Sequence, residues 1–88
     1  MKIADGFLLR KIMGRWMVVP TGSQSVATGG MFSINESSAL LWNALKDGSD
    51  EASLAELLCG TYDVDRETAV ADVARFLKRL EELGALSR

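Results

Sequence analysis

The spacing of apolar and polar positions changes character part-way along this chain. Residues 7–13 (FLLRKIM) and 15–19 (RWMVV) are rich in β-branched, aromatic and long apolar side chains and flank Gly14, a pattern that predicts a hairpin with a glycine-containing turn. Pro20 is expected to end the second strand, because it has no N–H for a ladder. The run TGSQSVATGG predicts a polar, flexible loop. MFSIN then predicts a third strand, with Phe32 and Ile34 on one face and Met31 and Ser33 on the other.

After Asn35 the apolar spacing becomes helical. Asn35 is a good N-cap for a first helix over 36–46 that buries Leu41, Trp42 and Leu45 and stops at Gly48. The Ser53-x-x-Glu56 capping box is expected to open a second helix with Leu54, Leu57 and Leu58 inward. Asp65 caps a third, in which Ala69, Val70, Val73, Phe76, Leu77, Leu80 and Leu83 keep helical spacing until Gly84. Three strands followed by three helices imply an α+β fold, with helices covering one face of a small antiparallel sheet. Eighty-eight residues without an internal repeat or a proline-rich linker predict one domain over 1–88, with a small, well-filled core.

Composition narrows the chemistry. The chain is 48% hydrophobic and 25% charged, and no apolar run approaches the roughly twenty residues that cross a bilayer. Asp5, Arg10 and Lys11 interrupt the N-terminal apolar residues, so no secretory signal is read and a cytoplasmic protein is expected. One cysteine, Cys59, and no histidine leave the usual zinc sites, imidazole bases and Cys/His pairs unavailable, so no metal or cofactor is expected. Asp47, Asp50, Glu51 and Glu56 cluster around a helix start, where the helix dipole favours negative charge without any catalytic role. Cys59 reads as a small hydrophobe, and Trp16 and Trp42 as core residues. No catalytic residue is therefore proposed. A net charge of −2 gives nucleic acid little reason to bind.

The third strand is the exception to an ordinary soluble domain. The first strand carries Arg10 and Lys11 and the second carries Pro20, whereas MFSI has none of the devices that protect a sheet edge. On the third helix, one border of the apolar stripe consists of Val70, Ala71, Ala74 and Lys78. If that border faces the edge, an incoming peptide could pair with residues 31–34 and lay alternate side chains on Val70, Ala74 and Leu77. Ala71 and Ala74 could equally be helix formers on a solvated face. Arg75 and Lys78 would favour an acidic peptide. Free edges could also pair into a homodimer. A winged-helix DNA-binding regulator, which likewise combines three helices with a small sheet, is the alternative function, although Glu67 and Asp72 on the third helix, with Asp63 and Asp65 before it, would repel DNA.

The run MFSINESSALLWNALKDG, the box SLAE, then YDVD and a long helix ending RFLKRLEELGAL resemble the PqqD family, also called the RiPP recognition element. The resemblance extends to the hairpin GFLLRKIMGRWMVVP. The family's usual Leu-Asn followed by Thr-Gly is here Ile34-Asn35 and then Ser37-Ser38, which keeps a buried apolar side chain and a helix-starting hydroxyl. The resemblance implies a non-catalytic, winged helix-turn-helix-like module that binds the leader segment of a ribosomally made precursor peptide. The leader would add as a strand to the third strand, against the third helix. Carried over by position, the peptide-binding residues are Met31, Phe32, Ser33 and Ile34 with Val70, Ala71, Val73, Ala74, Leu77 and Lys78. The implied partners are the precursor and a modifying enzyme such as a radical SAM maturase, a cyclase or a peptidase, with this chain acting as a standalone protein.

Overall fold

The computed structural model describes residues 1–22 and 30–87, so most of the polar loop expected over 21–30 lies outside the described residues. The elements run β1 (Lys2–Ile3), β2 (Phe7–Ile12), β3 (Arg15–Pro20), β4 (Phe32–Ile34), α1 (Glu36–Lys46), α2 (Glu51–Thr61), α3 (Arg66–Glu82) and β5 (Leu86–Ser87). The expected three strands and three helices are β2 to α3, an α+β arrangement, and the third expected strand is β4.

Met13 and Gly14 have φ of 51° and 79°. Two successive left-handed residues make the two-residue turn whose twist matches the strands it joins. Glycine adopts this conformation freely, but Met13 carries a Cβ into it and is 98% exposed. The turn closes on Ile12 opposite Arg15, which sets Leu9 opposite Val18 and Phe7 opposite Pro20. Pro20 is thus the last residue of β3 rather than the one after it, since strand alternation turns its missing N–H away from β2. On the other side of β3, β4 adds antiparallel with Phe32 opposite Val18 and Ile34 opposite Trp16. The sheet order is β2-β3-β4.

Asn35 Oδ1 accepts the Ser38 N–H at 2.8 Å and the Ser37 hydroxyl at 3.0 Å, which starts α1 where expected. Helix α2 starts earlier than the Ser53 box predicts. Its cap is Asp50, which accepts the Ser53 N–H at 2.7 Å. An aspartate cap brings its charge to the positive end of the helix, and Glu51, Ala52 and Ser53 are all tolerated in a first turn. Asp65 caps α3 through the Thr68 N–H at 2.8 Å.

Leu41, Trp42, Leu45, Leu54, Leu58, Val73 and Leu80 form the centre of the core, closed on the sheet side by Phe7 and Val18. Phe7 meets Trp42 edge-on, with ring centroids 6.4 Å apart. Three expected core residues are less buried. Val70 is exposed, Leu57 and Leu83 are only partly covered. Trp16 is also outside the core cluster, and the Lys11 ammonium lies 5.3 Å from its ring centroid.

The pairing of β1 with β5 has no counterpart in the sequence reading. Ile3 lies opposite Leu86, and the Ala4 N–H donates to the Ala85 carbonyl at 2.8 Å. Two-residue strands carry no periodic signal, so only the tertiary fold reveals this clasp. Among the described residues no helix is long and apolar enough to cross a membrane.

Candidate functional site

The direction of each main-chain group on β4 follows from the hairpin turn. Ile12 and Arg15 close a two-residue turn and so form a hydrogen-bonded pair, and antiparallel alternation makes Arg10–Met17 and Leu8–Val19 the next such pairs. Met17 and Val19 therefore direct their N–H and C=O toward β2, while Trp16 and Val18 direct theirs toward β4. Their partners Ile34 and Phe32 point back into the sheet. Ser33, between them, points both its N–H and its C=O outward. Among the described residues no strand pairs with that outer side. The Asn35 carbonyl is taken by the Ala39 N–H at 3.0 Å, which ends the edge at α1.

Beside this edge runs a trough. Its central part, about 330 Å³, has β4 as one wall through Phe32 and Ile34 and a floor of Leu41, Leu58, Phe76 and Leu80. The opposite rim is the face of α3 that carries Asp72, Arg75 and Arg79. A second cleft of about 390 Å³, bordered by Arg15, Trp16 and Ser33, shares Ile34, Ser38 and Arg79 with the first. A third, of about 340 Å³ beside Tyr62 and Val64, shares Leu58 and Asp72 with it. The surface is continuous from the hairpin turn to the end of α2.

Charge is unevenly distributed along the rim. Arg75 is ion-paired with Asp72 one helical turn away. The Arg79 guanidinium carbon lies 5.3 Å from the centroid of the Phe32 ring. Among the described residues, no carboxylate is within ion-pair distance of Arg79. The result is an apolar floor bounded by a cationic lip.

The structure brings Phe32, Ser33 and Ile34 to the trough, with Met31 just before the strand and 61% exposed. Val73 and Leu77 are 1% and 2% exposed and belong to the core beneath. Val70, Ala71, Ala74 and Lys78 are exposed and line none of these three clefts, so the small-residue border does not face β4. An apolar stripe has two borders, and a helical wheel does not say which one turns toward the sheet. The packing of α3 turns the Asp72, Arg75, Phe76, Arg79 border to β4, a border of which the sequence reading named only Arg75 for the site, as a selecting charge, and left out Asp72, Phe76 and Arg79 along with Ser38 and Leu41. The spacing of Asp72, Arg75 and Arg79, three and then four residues apart, marks them as one polar ladder beside the stripe. The two cations expected to set a charge preference also separate, since Arg75 lines the trough and Lys78 lies outside it.

Among the described residues no three His, Cys, Asp or Glu side chains come together as a metal site, and Cys59 is partly buried. The family described as coenzyme PQQ synthesis protein D (PqqD) matches residues 16–86. The chain belongs to the PqqD family. Among curated proteins none matches it. Two solved structures are similar to this PqqD-family chain. One is TbiB1 in complex with the TbiA(beta) leader peptide, at 26% identity and a TM-score of 0.74, covering 92% of this chain and 88% of that one. The other is lasso peptide synthetase B1 complexed with the leader peptide, at 25% identity and a TM-score of 0.78, covering 98% and 96%. The comparisons do not support the DNA-binding alternative.

Proposed function

We propose that this PqqD-family chain is a recognition module that captures the leader segment of a ribosomally made precursor peptide and presents the attached core to a modifying enzyme. The observation that carries the reading is the outward N–H and C=O of Ser33, set beside a trough with an apolar floor. A strand added there gains main-chain hydrogen bonds from β4 and places alternate side chains against α3. Phe32 and Ile34 wall the trough and hold the register of Ser33, while Val73 and Leu77 support α3 from beneath. Residues 1–88 act as one domain in the cytoplasm.

The chain supplies binding and leaves chemistry to its partner. Holding the leader raises the effective concentration of the core at the partner's site, so one enzyme can act on varied cores. That partner is a radical SAM maturase, a cyclase or a peptidase. A second copy annealing through the same edge would form a homodimer that competes with the leader.

Selecting short random peptides on the immobilised protein yields a binder for titration. The Ser33→Pro variant removes the outward N–H at an edge position where proline fits. It should keep its melting temperature and lose at least about tenfold in affinity. Unchanged affinity in that variant would contradict strand addition.

A further inference from the structure

We infer, resting on the strand-addition reading, that Arg79 selects the captured segment for an acidic side chain two residues away from an apolar one. The residue that exchanges both main-chain hydrogen bonds with Ser33 must share its face, so its side chain points to the outer side of the sheet. The residues before and after it point to the face of Phe32 and Ile34, where the trough lies. Two side chains of the segment, about 7 Å apart, therefore enter together.

The trough meets them with two unlike surfaces. Leu41, Leu58, Phe76 and Leu80 offer an apolar floor, and Arg79 stands where the central cleft joins the one beside Arg15. Across these two clefts, among the described residues, Arg15, Arg75 and Arg79 face a single carboxylate, Asp72, which is already paired with Arg75. Arg66, by contrast, has Glu56 at 3.9 Å. Arg79 rests against the Phe32 ring. A guanidinium held over an aromatic ring still has N–H donors to spare, and their planar fork matches a carboxylate. The aromatic contact thus holds the receptor group in place at the lip. A basic side chain at the same position would meet uncompensated positive charge.

The test is to repeat the random-peptide selection on the wild type, Arg79→Gln and Arg79→Glu. The wild type should enrich Asp or Glu two positions from an apolar residue. Arg79→Gln should keep the apolar preference, lose the acidic one and bind the wild-type winner about five- to tenfold more weakly. Arg79→Glu should enrich Lys or Arg at the position where the wild type enriches an acid. Acidic enrichment that persists in both variants, or wild-type binders that lack it while still depending on Ser33, would overturn the role of Arg79 and leave strand addition standing. Selections that yield no binder would overturn both.

Discussion

The guanidinium carbon of Arg79 lies 5.3 Å from the centroid of the Phe32 ring, joining the last turn of α3 to the edge strand β4. This contact identifies the side of α3 that faces the open edge. Ala74 is on the other border and exposed, whereas Ser38 lines two of the clefts along β4. Ala74→Arg should therefore leave the affinity for a selected peptide within about twofold, as expected for a substitution outside the interface. Ser38→Arg should fill the trough and abolish binding, yet preserve the α1 cap, because Asn35 accepts from the Ser38 main chain. Calorimetric titration of both variants checks the pair.

Leu80 joins the fold to the site, since it is 1% exposed and also forms part of the trough floor. Leu80→Ala removes buried methyl groups from a core of limited size and should destabilise the domain by about 2–5 kcal/mol in denaturant unfolding. Peptide affinity measured well below the transition should also fall. A loss of affinity with stability unchanged would mean that Leu80 is not packed as described.

The helix caps predict a dependence on pH. Hydrogen bonds from the Ser53 main chain and side chain hold the Asp50 carboxyl below its ordinary pKa, and the Thr68 side chain and main chain do the same for Asp65. A carboxyl depressed in the folded state contributes stability above its unfolded-state pKa, about 3.9, and loses it as pH falls through the folded value. Thermal melts should fall more steeply below about pH 4 for the wild type than for the double variant Asp50→Asn, Asp65→Asn, which keeps the capping oxygens but not the charges. Parallel curves would assign the acid sensitivity to other carboxylates.

Met13 has a φ of 51° in the hairpin turn and is almost fully exposed. Its side chain gains little from burial, and its backbone is in a region that favours Gly, Asn or Asp. Met13→Asn should raise stability by about 1 kcal/mol without altering peptide binding. Equilibrium unfolding measures the gain, and an unchanged or lower stability would argue that Met13 makes contacts that offset its strain.

Much of the fold was legible because local signals agreed with tertiary packing. Asn35 and Asp65 cap α1 and α3, and the apolar stripe of α3 is the buried one. The capping box at Ser53 failed because Asp50, three residues earlier, is an equally good cap with a full negative charge at the helix start. The β1–β5 clasp was illegible for want of length. In the candidate site, the edge strand could be read from its lack of protective residues, while the facing side of α3 could not. Both borders of that helix flank the same stripe, and tertiary packing distinguishes them, through the contact between Arg79 and Phe32 and the residues that line the trough.

Amide hydrogen exchange at Ser33, with and without a bound selected peptide, tests strand addition most directly. In the free protein the Ser33 N–H points outward and should exchange rapidly, whereas those of Phe32 and Ile34 are paired with β3. On saturation with peptide, the Ser33 amide should become strongly protected while Phe32 and Ile34 change little. A Ser33 amide that exchanges at the same rate in the complex, with protection appearing instead around Val70 and Ala74, would contradict the account.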